Sequence, residues 1–328
     1  MTVDFRRVIR PVAIGTIALL TEYALLGTQQ FANALTLGAI YALIALGYTM
    51  VYGIVELINF AHGDIFMVGS FLAMWIMTTL LGLSGPVTNL LNLVGLLSIV
   101  MFATMVGMGF IGMFIERFAY RPLRHAPRLA PLITAIGVSF ILQNIISSLF
   151  GPSPVNVPQI VPLDKFAFMG GKIGYLNVFM VVLAVVLMIA LQLFVGRTRL
   201  GRAMRSTAQD REAAELMGVD INQTIAITFF IAAALAGAGG VIQGLYFGSI
   251  KFDLGFFVGL KAFTAAVLGG IGNTTGAAIG GFIIAFVEVY ATVLGYTQWS
   301  EVAVFTVLIL VLVFRPSGLL GQQLGERA

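Results

Sequence analysis

The sequence predicts an all-α, polytopic membrane protein with about 8–10 transmembrane helices, divided into two inverted groups of five crossings. Three observations predict this. Hydrophobic residues make up 59 % of the 328 residues and charged residues 10 %, where a soluble domain carries about 25 % charged residues; lipid is the solvent that fits such a chain. Apolar runs long enough to cross roughly 30 Å of hydrocarbon recur along the whole length. Every arginine falls in one of four places, and ten crossings put all four on one side of the membrane.

The elements follow in order. Arg6, Arg7 and Arg10 precede an apolar stretch from Pro11 to Gly27, which has the outline of a signal peptide. No small-residue cleavage site follows it, and Glu22 and Tyr23 interrupt it. It therefore reads as an uncleaved N-terminal extension helix within residues 1–28, with 12–26 as a short candidate span. Long apolar runs occupy 29–50, 62–83, 91–116, 130–150, 176–196, 223–247, 276–294 and 299–314, and a second short candidate lies at 256–272. The stretch from Val51 to Asp64 is too short and broken for a loop or a span and reads as a re-entrant turn. Between Gly151 and Tyr175, Pro152, Pro154, Pro158 and Pro162 impose an extended external loop. That loop separates the two groups of five, and an odd number per group inverts one relative to the other. No residue-level repeat accompanies the inversion.

The basic residues orient the chain. Arginines lie at 6–10, at 117–128, at 197–211 and in the tail at 315 and 327, whereas Lys165, Lys172, Lys251 and Lys261 fall on the opposite side. The positive-inside rule makes the arginine side the cytoplasm, with both termini there.

Several chemistries are absent from the sequence. There is no cysteine, and the only histidines are His62 and His125, so neither disulfides nor a histidine-rich metal site is available. No Walker-type glycine loop, paired carboxylates or Ser-His-Asp grouping occurs. Nothing points to nucleic acid, and no cofactor site is expected in this chain. No enzyme is expected here, and if energy drives this protein, another subunit supplies it.

The longest hydrophilic stretch on the arginine side, GRTRLGRAMRSTAQDREAAELMGVDINQ from 196 to 223, carries good helix formers from Ser206 to Met217, with Gly218 as a natural terminator. It contains Glu212-Ala213-Ala214 followed by Gly218, the EAA-then-Gly pattern of ABC importer permeases. There a short helix docks in a groove of the ATPase, small residues permit close approach, and flanking charges set the register. A solvated loop is the alternative on the motif alone.

Five further blocks accompany it: LTLGAIYALIALGYTMVYGIVELINFAHGDIFMVGSF (35–71), ERFAYRPLR (116–124), LITAIGVSFILQN (132–144), LKAFTAAVLGGIGNTTGAAIGG (260–281) and FRPSGLLG (314–321). With GRAMRSTAQDREAAELMGV (201–219) they resemble, in order, the permeases of branched-chain amino acid ABC transporters, the Liv-type H subunit. The resemblance implies one permease domain over 1–328 with a cytoplasmic coupling loop at 197–222. It implies that Arg205, Asp210, Glu212, Ala213, Ala214 and Gly218 serve ATPase coupling. It further implies an inner-membrane assembly containing a second paralogous permease subunit and two ATPase subunits that hold ATP and Mg. A periplasmic amino-acid-binding protein would capture the substrate, leaving the permease to bind free amino acid weakly. Urea and short-amide permeases share the architecture and are the alternative substrate class. A stand-alone secondary transporter would need several intramembrane charges, and this chain offers little beyond Glu288 and Glu22.

Polar groups at membrane depth mark candidates for the translocation path or gate: Asn59, His62, Asp64, Asn144 and Glu288. Asn59, His62 and Asp64 form either a re-entrant gate element or a simple turn with His62 capping the next helix. Asn144, beside Gln143, suits interhelical bonding or substrate contact. Glu288 is an acidic residue inside a strongly apolar span. Lys261 and Asp253 read as a solvated outer rim, and the glycines at 269, 270, 272, 276, 280 and 281 as a close-packing surface.

Overall fold

The computed structural model describes residues 5–55, 59–124, 126–127, 129–162, 165–168 and 171–321. Expectations that concern the side chains of the N-terminal segment, His125, Arg128 and Arg327 lie outside the described residues.

Eleven α-helices are formed among the described residues. Helix α1 (Phe5–Val55) is interrupted at Gly27, whose φ of 73° has left the helical region; glycine adopts that conformation without a Cβ clash. The remaining long helices are α2 (His62–Trp75, continued by a π turn to Leu80), α3 (Leu90–Ile115), α4 (Leu129–Phe150), α5 (Tyr175–Arg197), α8 (Ile221–Phe247), α10 (Thr274–Val293) and α11 (Ser300–Phe314). Between them lie α6 (Arg199–Gln209), α7 (Arg211–Leu216) and the short apolar α9 (Leu254–Gly269). Among the described residues, eight helices are long and apolar enough to cross a membrane, beginning with Gly27–Val55, and they coincide with the eight long runs of the sequence. The protein is thus an all-α, multi-pass membrane protein.

Burial sorts the spans. The best apolar window is 89 % buried in Gly27–Val55 and 78 % in Ile221–Phe247, against 17 % in Tyr175–Arg197 and 11 % in Thr297–Phe314. Helices α1, α2 and α8 are therefore core, while α5 and α11, with α4, form the outer layer. Small residues allow the core helices to meet. Gly281 of α10 lies on Ala42 of α1, Gly280 on Ala265 of α9, Gly69 of α2 on Gly237 of α8, and Gly269 on Gly276. At each of these places an added Cβ would overlap the facing backbone or side chain.

The packing partners exchange in pairs. Helix α1 packs on α10 as α3 packs on α8, α1 on α9 as α2 on α8, and α9 on α11 as α2 on α4. This is the pattern expected when α1–α4 and α8–α11 are two copies of one arrangement, and it appears in packing although not in the residues.

The two ends of the bundle differ. At one end, Arg211 reaches Ile54 at the close of α1, Arg124 reaches Asn222, and Arg205 reaches Val195. The tail closes over α9 at this end, through Leu319 N–H to Leu268 O at 2.9 Å and Leu320 N–H to Gly269 O at 3.0 Å. At the other end, the loop expected to be merely extended contains short strands. Strand β1 (Val155–Asn156) pairs antiparallel with β4 (Ser249–Ile250), and β2 (Lys165–Phe168) with β3 (Gly171–Gly174). The same loop is bonded to the α2–α3 connection through Val87 N–H to Ile160 O, 3.0 Å, and to the α8–α9 connection through Val157 N–H to Gly248 O, 2.9 Å.

Candidate functional site

The arginine-bearing end carries the segment expected to couple to an ATPase. Its local sequence produces two helices rather than the single one predicted over 206–217. Asp210 is extended (φ −155°, ψ 114°) and its carboxylate accepts from Ala213 N–H at 3.0 Å. An aspartate offered free N–H groups favours this N-cap over a helix interior, so α6 stops at Gln209 and α7 starts at Arg211. Thr198 caps α6 in the same way, accepting from Gly201 N–H at 3.0 Å. Gly218, at φ +84°, ends α7. Gly218 N–H donates to Glu215 O and Val219 N–H to Ala214 O, at 2.9 and 3.0 Å, which is the Schellman arrangement.

The structure divides the predicted coupling residues. Glu212, Ala213 and Gly218 are exposed on α7. Ala214 is 3 % exposed and turns into the chain, so it does not share an outward face with Gly218. Asp210 is a cap, and Arg205 donates to the Val195 carbonyl at the end of α5. Two features escaped the sequence reading. Leu216 and Met217 stand 89 % and 85 % exposed at the tip of α7. Arg211, the first residue of α7, donates through Nη2 to Ile54 O at 3.0 Å, joining α7 to the last turn of α1. The apolar pair at the end of an otherwise hydrophilic helix was the available signal for the first; nothing local signals the second.

Helix α2 does not begin at the level where α1 ends. His62 packs against Gly47 of α1, where a Cβ would meet the imidazole. Gly47 precedes Val55 by eight residues, or about 12 Å at 1.5 Å per residue. Helix α2 therefore starts well inside the bundle. Its N-cap is Ala61 with no side-chain cap bond, so His62 is not a capping residue. Helix α9 also begins inside, with Gly255 and Gly259 against Gly63.

Asn59, His62 and Asp64 are all buried, at 2 %, 1 % and 1 % exposure. The Tyr120 hydroxyl donates to Asn59 Oδ1 at 2.6 Å. Ser139 donates to one oxygen of Asp64, and Gln143 Nε2 to the other at 3.0 Å. His62 stacks edge-on with Tyr48, centroids 4.8 Å apart. Asn59 Nδ2 and His62 Nε2 have no hydrogen-bond partner among the described residues. Asn144 does not join this group. It is exposed and donates to Phe140 O of its own helix at 2.7 Å, while its neighbour Gln143 makes the interhelical bond.

Glu288 lies elsewhere, with Lys261 Nζ and the Tyr41 hydroxyl each 2.7 Å from its carboxylate oxygens. Glu301 is 3.8 Å from Lys261. Lys261 is only 12 % exposed, because α9 enters the bundle and carries it inward; the expected solvated rim is formed by Lys251 and Asp253, paired at 2.7 Å. A cavity of about 550 Å³ is lined by the Glu288 cluster, and a second of about 460 Å³ by Ser139, Gln143 and Tyr48, with Phe257 bordering both.

A family profile described as the branched-chain amino acid transport system / permease component matches residues 30–313. The chain belongs to this family. Among curated members of this permease family, it is 44 % identical over 299 residues to the high-affinity branched-chain amino acid transport system permease protein BraD of Pseudomonas aeruginosa. That alignment covers 90 % of this chain and 95 % of BraD. It is 40 % identical over 307 residues to the corresponding protein LivH of Escherichia coli K12, covering 92 % and 98 %, and to LivH of Salmonella typhimurium over the same shares. No solved structure matches. The family is one of transport subunits.

Proposed function

We propose that this chain is the permease subunit of an ATP-driven importer that carries leucine, isoleucine and valine across the cytoplasmic membrane of a prokaryote. The observation that carries the reading is the 44 % identity to BraD across nine-tenths of the chain. In this reading the arginine-bearing end faces the cytoplasm, both termini lie there, and two ATPase subunits holding ATP and Mg dock on it. A second, paralogous permease subunit completes the path, and a periplasmic amino-acid-binding protein delivers the substrate.

The arrangement of α6 and α7 supports the docking role. Leu216 and Met217 project from the end of a helix that is capped at both ends. Buried in an ATPase groove, two such side chains each contribute about 1.5–3 kcal/mol. Arg205 and Arg211 then fasten the segment to the carbonyl ends of α5 and α1. A cation at a helix C-terminus is favoured by the unpaired carbonyls there. Movement of the ATPase would thus pass to the last turn of α1, the helix against whose Gly47 His62 packs.

The test is reconstitution in proteoliposomes with the second permease, the ATPases and the binding protein. ATP-dependent uptake of labelled leucine, isoleucine and valine is expected. Uptake of urea or short amides in place of these would overturn the substrate assignment, and uptake without ATPases would overturn the importer reading.

A further inference from the structure

The 550 Å³ cavity is walled by α1, α8, α9 and α10 and reaches from Ser249 and Lys251, at the strand-bearing end, down to Lys261 and Glu288. Three features set it apart from a packing defect. Its deep end holds an ion pair of which neither partner is more than 17 % exposed. Gln243, a polar residue only 5 % exposed, also lines it and can offer its side-chain amide to a ligand. The rest of the wall is apolar, with Leu37, Leu254, Val258 and Val289. Ionisable groups within a membrane span cluster along substrate pathways.

We propose that this cavity is a transient station for the free zwitterionic amino acid on its way from the binding protein. A zwitterion with an aliphatic side chain has both charges at one end and an apolar body at the other, and the cavity is divided the same way. The substrate carboxylate meets the Lys261 ammonium and the Gln243 amide. The substrate ammonium meets the Glu288 carboxylate. The side chain lies against Leu37, Leu254 and Val289. Lys261 and Glu288 neutralise each other when the station is empty, so substrate competes with an existing pair and the site holds it only weakly. That weakness suits a station that must release. The inference rests on the amino-acid reading above and adds a binding site to it.

The native chain has no cysteine, so a single cysteine at the exposed rim residue Thr292 reports on the cavity. The full chain carrying Thr292→Cys, in lipid nanodiscs, is alkylated with a maleimide in the presence of L-leucine, leucinol or 4-methylpentanoate. Leucine should slow alkylation with half-effect in the millimolar range. Leucinol, without the carboxylate, and 4-methylpentanoate, without the ammonium, should each be at least roughly tenfold weaker. Adding Lys261→Met together with Glu288→Gln, which removes both charges at once, should abolish protection by leucine. Equal protection by all three compounds would overturn the station, since it would show an apolar pocket indifferent to the charged groups. No protection by leucine, in a chain whose assembled complex imports leucine, would overturn the station and leave the importer reading standing. A complex that imports urea instead, with no leucine protection, would overturn both. The comparison of the three compounds needs no second substitution and so does not depend on how well the double variant folds.

Discussion

Arg211 joins two distant parts of the chain through one hydrogen bond, and its removal separates docking from transmission. Arg211→Gln should keep Leu216 and Met217 in place, so ATPase subunits should still co-purify and hydrolyse ATP. Losing a charge-assisted bond of about 1.5–3 kcal/mol should lower leucine uptake roughly tenfold or more. Loss of ATPase association in this variant would place Arg211 in the docking contact instead. Asp64 offers a second residue-level test, because two donors on α4 converge on it. Asp64→Leu leaves Ser139 and Gln143 only their weak 3.4 Å bond to each other and should destabilise by about 1–3 kcal/mol, read as a lower thermal unfolding midpoint in detergent. Asp64→Asn retains an acceptor and should be milder; equal losses in the two variants would show that the bonds are not what matters there. At this scale the sequence showed which residues were polar at membrane depth but not where they point. Asn144 and Gln143 are adjacent, yet only Gln143 reaches Asp64. In a helix apolar on every side, periodicity does not distinguish the face toward protein from the face toward lipid. Lys261 was misplaced for a related reason: counting crossings puts it near the outer end of a span, whereas α9 begins inside the bundle.

Among the elements, α7 is the one whose ends matter most. Gly218 sits at φ +84° with open space around it, so steric room is not its constraint; backbone conformation is. An L-residue there costs about 1–2 kcal/mol, and Gly218→Leu should fray α7 and reduce both ATPase recovery and uptake. Leu216→Asp with Met217→Asp leaves the helix intact but removes its apolar tip, and should reduce ATPase co-purification more than uptake-neutral surface changes do. Glu212→Gln should be mild, since exposed ion pairs are worth under about 1 kcal/mol. A Glu212→Gln effect as large as the Leu216/Met217 one would mean that charge rather than apolar contact holds the ATPase. The terminator of α7 was legible in the sequence because glycine after a run of helix formers has one common use. The break before α7 was not: Asp210 lies in a row of charged residues, and only the free N–H groups of the next turn reveal it as a cap. Helices α2 and α9 show the same limit, since composition gives a run of apolar residues its length and not its depth.

For the whole molecule, the eight long spans were readable because hydrocarbon sets a minimum length and each run met it. The pairing of the two halves was readable only as an odd count and becomes visible in packing partners, because the residues making equivalent contacts differ. The sidedness of the described arginines has a direct test. Thr207 is 1 % exposed and is a poor labelling site, so exposed Ala208 and Ser153 are better ones. Cysteine at Ala208 should react only from the cytoplasm and cysteine at Ser153 only from outside; the reverse would invert the molecule in the membrane. The strand-bearing end holds a further consequence. There the connection between the halves is bonded to the α2–α3 turn through Ile160 and to the α8–α9 turn through Val157 and the β1–β4 pair, while at the arginine-bearing end the backbone bonds of the tail reach α9 alone and α1, α3 and α5 are joined there by individual side chains. Such a molecule has a fulcrum near one membrane surface. A helix of 29 residues such as Gly27–Val55 is about 43 Å long, so a rock of roughly 10° about that fulcrum sweeps its far end through about 7 Å. The leverage lies with the arginine-bearing end, the side proposed to receive the ATPase, where a small stroke would be worth most.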